Sequence, residues 1–372
     1  MKHRIVSTGV GAILLACAVP AFADHGDNGG NGGYLQRNLV SDGSITAEHT
    51  DPNLVNAWGV AFNPFGFVWV ANNGTGTSSL YDGDGNVQSL VVSIPAPGTA
   101  TGGTPTGIVF NGSPVFNVTA GGKSGSAKFI FVTEDGIIAG WAPTVDGTHA
   151  ITAIDNSATT GAVYKGVALS AGGSGPLLYA ADFHNATIDV FDGNFAPVVA
   201  ASASAFTDHS LPKGYAPFGI QAIGGDIYVT YAQQDSEKKD EVDGRGLGFV
   251  DVYDPNGVLL RRLASRGALN APWGITQAPA GFGTFSNAIL VGNFGDGRIN
   301  AYDPVFGFWL GQLRGTNHQP IQIDGLWGLA FGNGFSNQPV NTLFFASGPG
   351  GEAHGLYGRL DATSNGGHMG DN

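Results

Sequence analysis

Apolar residues along this chain fall in short runs bounded by Gly, Pro, Asn or Asp, and no stretch keeps a long 3.6-residue apolar period. That pattern predicts strands and few helices. Residues 271–304 show it most clearly. Three runs (271–276, 288–294 and 297–302) are separated by turn residues and end on Asp303-Pro304, which reads as one antiparallel meander.

The same phrase recurs along the chain. An aromatic or other side chain, a glycine and an apolar run appear together at Trp58-Gly59-Val60, Thr106-Gly107-Ile108, Lys165-Gly166-Val167, Phe218-Gly219-Ile220, Trp273-Gly274-Ile275 and Trp327-Gly328-Leu329. The six glycines lie 48 to 59 residues apart. Each phrase is followed by a second run, such as Val68-Trp69-Val70 or Phe344-Phe345-Ala346, and most by a third ending in Asp-Gly or Asp-Pro. Such dipeptides supply the backbone angles of tight hairpins. A fourth, outer run is visible at 258–263. Units that cannot bury their faces alone must stack in a ring. The expectation is therefore an all-β, six-bladed β-propeller of four-stranded antiparallel blades. The sixth unit lacks its own outer strand, and the isolated run at 34–40 can complete it and close the ring, removing a bare sheet edge.

The repeat phrase is similar to NHL-type propeller repeats. Residues 228–235, 248–254, 290–300 and 324–329 resemble more closely an uncharacterised bacterial family of exported propeller proteins, some of which carry a PEP-CTERM sorting tail. The resemblance covers nearly all of the mature chain. Residues 362–372 have neither the apolar span nor the basic end of such a tail. The family implies the fold and export but brings no activity.

The ends add location. A basic start at Lys2, His3 and Arg4, an apolar stretch at 5–18 and Ala21-Phe22-Ala23 form a secretory signal peptide over 1–23. Conventional cleavage is favoured over lipoprotein processing at Cys17 because residues 18–22 stay apolar. A periplasmic or extracellular protein is expected, with a flexible linker at 24–33, the propeller at 34–361, a disordered tail at 362–372 and no transmembrane span in the mature chain. Cys17 is the only cysteine, so the mature chain has no disulfide and no thiol chemistry. With 29 acidic and 16 basic residues, the formal net charge is −13, which disfavours nucleic acid as a partner. A monomer is expected.

In a propeller, the loops entering each inner strand and those joining the second strand to the third surround one channel mouth, the default ligand site. Trp58, Phe218, Trp273 and Trp327 can stack on a ligand there or wedge between blades. Lys165 is the one charged residue immediately before a phrase glycine. It can meet an anionic group or lie with its stem buried. His184 and His354 belong to the same loop face. Asn72, Glu134, Asp182 and Asn293 follow four of the second strands and form a candidate Ca²⁺ set, although such residues also cap strand ends. The arrangement resembles that of six-bladed sugar-lactone hydrolases without matching a motif. The charged run at 235–243 interrupts the fourth unit as a solvated loop, a lid or a partner contact. The segment 82–86 starts like a Ca²⁺ loop but has Val87 at the sixth position and Ser93 at the twelfth, which favours a hairpin turn. Gly-x-Ser-x-Gly and His-Glu-x-x-His are absent, and no catalytic residue can be assigned. Three functions stay open. The first is an exported scaffold that binds a small molecule or protein at the mouth, the second a Ca²⁺-dependent lactone or ester hydrolase, and the third a structural matrix or surface component.

Overall fold

A computed structural model describes residues 32–172, 175–199, 202 and 204–363. The expected signal peptide, residues 24–31 of the expected linker and residues 364–372 of the expected tail lie outside them. The chain is a six-bladed β-propeller, with six antiparallel sheets in a ring. Among the described residues the only helical elements are two three-residue 3-10 turns.

Blade one comprises Ala57–Phe62, Val68–Asn72, Thr77–Tyr81 and Val87–Ser93. Blade five, the expected meander, comprises Pro272–Gln277, Ile289–Asn293, Ile299–Tyr302 and Trp309–Gln312. In blade six, Leu326–Phe331, Thr342–Ser347 and Leu356–Ala362 are completed by Tyr34–Ser41, which pairs antiparallel to the last of them. The N-terminal strand thus closes the ring. Tyr34 anchors it by donating its hydroxyl to the Phe282 carbonyl, and Leu39 and Val40 are fully buried.

Two departures from regularity were not expected. Blade three holds only three strands among the described residues, Tyr164–Gly172, Gly175–Asp182 and Thr187–Phe191. Among the described residues its outer edge is a single bridge between Phe191 and Pro197. Blade two carries an extra hairpin, Asn117–Ala120 with Lys123–Ser126, between its first and second strands. Residues 82–86 form a hairpin turn in which Asp82 accepts from the backbone N–H groups of Asp84 and Asn86.

The phrase glycine has a steric cause. A Cβ on Gly59 would lie 2.6 Å from the Thr106 carbonyl oxygen, one on Gly274 2.4 Å from that of Trp327, and one on Gly328 2.4 Å from that of Trp58. Each inner strand therefore leans on the residue before the next blade's glycine. Any side chain at these positions would hold the blades apart and open the ring. Apolar clusters fill the wedges between blades, as where Trp69 of blade one stacks on Phe129 of blade two at 4.1 Å.

Candidate functional site

The residues before the phrase glycines point to the propeller axis, and four of them meet there. Trp58 and Trp327 stack with ring centroids 3.4 Å apart, Trp273 stands edge-on to both at 5.8 Å, and Phe218 packs against Trp327 at 5.8 Å. All four are buried, and Phe183 and Phe294 complete the cluster. The rings form a plug across the channel, their faces covered by one another. Beneath it the void lined by the phrase glycines measures about 40 Å³, room for a water or two and no organic ligand.

Lys165 lies over this plug. It is 1% exposed, yet its ammonium donates to Glu134 Oε1 at 2.5 Å and to Asp240 Oδ1 at 3.2 Å, and sits 5.2 Å from the Trp58 ring. A buried ammonium persists only when paired. Glu134 comes from the turn after the second strand of blade two. Asp240 comes from the charged run at 235–243, which folds back over the mouth. There Glu241–Val242 pairs with Gln233 and Gln234 at the end of the second strand of blade four. Glu352, on the last loop of blade six and at a left-handed φ of +67°, completes the group. A chain of hydrogen bonds runs round the rim: Trp327 Nε1 donates to Asn56, Asn56 to Asn73 and Asn73 to Glu134 Oε2, while Glu134 Oε1 accepts from Lys165.

One ammonium thus faces four carboxyl groups, and their protonation divides accordingly. Burial pushes Glu134 up, but the Lys165 charge and the hydrogen bonds from Lys165 and Asn73 outweigh it and hold this carboxyl below its ordinary range. Burial likewise opposes the Lys165 charge, and Glu134, Glu241 and Asp240 more than restore it. Glu241 is enclosed without direct contact to the ammonium, and burial pushes it up to about 7. Glu352 is also raised, by burial first and then by Glu134 and Asp240. Among the described residues neither Glu241 nor Glu352 has a basic group within 4 Å.

The candidate Ca²⁺ set is not brought together in one register. Asn72 pairs with Ala57, Asp182 with Tyr164 and Asn293 with Pro272, whereas the equivalent position of blade two is Thr133, opposite Pro105. Glu134 lies one residue further on, level with Asn73, Phe183 and Phe294, and so faces the axis. Asp182 accepts from the backbone and side chain of Asn185 and caps its own loop. Asn72 and Asn293 donate within their own blades or to the adjoining loop, leaving their Oδ1 atoms buried and unpartnered. No group of three His, Cys, Asp or Glu side chains arranged to hold a metal occurs among the described residues. His354 is turned away from the axis and bonds Asp42 at 2.9 Å beside the N-terminal strand. His184 adjoins the mouth through its backbone, its carbonyl accepting from Gln234 Nε2.

No protein-family model matches the chain. It is 37% identical over 298 residues to "Uncharacterized protein R648" of Acanthamoeba polyphaga mimivirus, covering 78% of this chain and 72% of that protein. Among solved structures, a Bacteroides thetaiotaomicron protein of unknown function aligns with a TM-score of 0.55 at 11% identity, over 89% of this chain and 76% of that one. The PQQ-bound aldose sugar dehydrogenase of Streptomyces coelicolor aligns with a TM-score of 0.51 at 12% identity, over 89% of this chain and 98% of that one. At these identities the two structures share the fold alone.

Proposed function

We propose that this chain, which belongs to the same protein family as mimivirus protein R648, is an exported propeller that binds a small cationic ligand at its channel mouth. One observation carries the reading. Glu134, Asp240, Glu241 and Glu352 surround a single ammonium, and two of them, Glu241 and Glu352, have no basic group within 4 Å among the described residues. An enclosed carboxylate without a partner is costly, and a cation arriving beside it relieves that cost. The rings of the plug are buried and the Lys165 ammonium already lies over Trp58, so the incoming cation is held by the rim carboxyls rather than by an aromatic face. The charged run at 235–243 acts as the rim on one side, so the ligand enters between it and the loop bearing Glu352. Export follows from the signal peptide at 1–23, and N-terminal sequencing of the mature protein should start near Asp24.

Calorimetric titration with putrescine, choline and Ca²⁺ tests the binding. Amine binding that Glu352→Gln and Glu241→Gln weaken at least tenfold supports the reading. Ca²⁺ binding coupled to lactone hydrolysis would replace it with the hydrolase.

A further inference from the structure

A second cavity lies on the outer part of the ring, away from the channel. It occupies about 620 Å³ between blades four and five, within the usual range for small-molecule sites. Arg245, Arg266 and Arg298 line it, three of only nine arginines in a chain of net charge −13. Among the described residues none of the three has a carboxylate within 4 Å or a side-chain hydrogen bond. The other arginines in ion pairs, Arg37, Arg262 and Arg359, are engaged elsewhere. The Arg298 Nε is buried and unpartnered. Asp296 is the one carboxylate in the lining, and its Oδ1 is occupied by the Asn293 amide and the Arg298 backbone N–H. The cleft therefore holds a surplus of two positive charges.

The geometry points to a binding site for an acidic saccharide, with the three guanidinium groups receiving its carboxylates and Trp309 its ring. Guanidinium forks match planar oxyanions in a bidentate manner, which unpaired surface lysines would not. The Trp309 indole lines the same cavity, is 55% exposed, and is steadied by a hydrogen bond from its Nε1 to Asn300 Oδ1 at 3.3 Å. Buried Tyr302 closes the floor. A held, half-open aromatic face beside a charged cleft suits a ligand with both a ring and an anionic substituent. A bare inorganic anion would leave the aromatic face unused.

Titration of the mature chain with digalacturonate, its dimethyl ester and inorganic phosphate tests the assignment. Digalacturonate should bind, and the ester, identical but for charge, at least tenfold more weakly. Arg266→Ala and Arg245→Ala, both at exposed side chains, should each weaken digalacturonate several-fold, and Arg298→Gln and Trp309→Ala at least tenfold. Glu352→Gln at the channel mouth should leave this affinity unchanged. Equal affinity for acid and ester, indifference to the arginine substitutions, or no binding at millimolar ligand would overturn the proposal. So would phosphate binding as tightly as the disaccharide with Trp309→Ala having no effect, which would reduce the cleft to a simple anion site.

Discussion

Trp273 Nε1 donates a 2.9 Å hydrogen bond to the carbonyl oxygen of Lys165, 108 residues earlier in the chain, and so joins the aromatic plug to the ion cluster above it. This indole links blades three and five directly across the axis. Trp273→Phe keeps most of the ring packing and removes the donor. It should cost about 1 kcal/mol in urea unfolding, the usual net value of one hydrogen bond, and weaken amine binding by letting the Lys165 backbone shift. Trp327→Ala opens a cavity beneath the same site and should cost about 3–5 kcal/mol.

The Lys165–Glu134 pair makes a sharper case. Lys165→Met fills the same space but strands Glu134 beside two other enclosed carboxyls. Breaking a buried pair on one side costs about 3–5 kcal/mol, whereas replacing both partners is often close to neutral. The double variant Lys165→Met, Glu134→Gln should therefore recover most of the loss. Urea unfolding of the three variants and the parent forms the thermodynamic cycle, and a double variant no more stable than Lys165→Met would contradict it.

The six phrases were legible in the sequence because each glycine answers a local steric demand, the close approach of one inner strand to the next. Ring closure was legible too, since a missing outer strand and an orphan strand imply each other. The mouth was only partly so. Lys165 and the run at 235–243 each appear as a break in the repeat, yet nothing local says that Asp240 will reach across 75 residues to the ammonium. The register of Glu134 was also hidden. Counting the first polar residue after each second strand places it beside Asn72 and Asn293, but in blade two that place belongs to Thr133, so strand alternation turns Glu134 to the axis. The arginine cleft left no sequence signal, because its three cations come from three separate loops of two blades.

Closure by Tyr34–Ser41 has a measurable consequence. A variant lacking these residues exposes the strand Leu356–Ala362 as a bare edge and uncovers buried neighbours of Leu39 and Val40. It should associate in a concentration-dependent way on size exclusion and unfold at lower temperature. Adding the missing segment as a peptide should reverse part of both effects. A monodisperse variant with an unchanged midpoint would show that the edge is protected by other means.

Metal removal separates amine binding from the Ca²⁺ reading. Asp182 is occupied by Asn185, and Asn72 and Asn293 lie out of register with Glu134. Exhaustive EDTA treatment should leave both the thermal midpoint and putrescine affinity unchanged. A midpoint that falls with EDTA and returns with Ca²⁺ would instead favour a metal held at the mouth.

The pH dependence of the mouth follows from Glu241, whose carboxyl moves from an ordinary value of 4.5 to about 7 on folding. Between these values the folded chain holds a proton that the unfolded chain has released, so this group's contribution to stability falls as pH rises from about 4.5 to 7 and is level outside that window. The loss has an upper bound of about 3 kcal/mol. Asp251, buried beside Arg262 and also raised to about 7, adds a slope of the same sign elsewhere in blade four. The informative quantity is thus the difference between the parent and Glu241→Gln. The variant should lose part of the decline between pH 5 and 7.5 and keep the part due to Asp251. Ligand binding runs the opposite way. Above pH 7 Glu241 is ionised and attracts a cation, so putrescine affinity should rise severalfold from pH 6 to pH 8 in the parent and rise less in Glu241→Gln, where Glu352 remains. Equal pH profiles for the two proteins would remove Glu241 from the site.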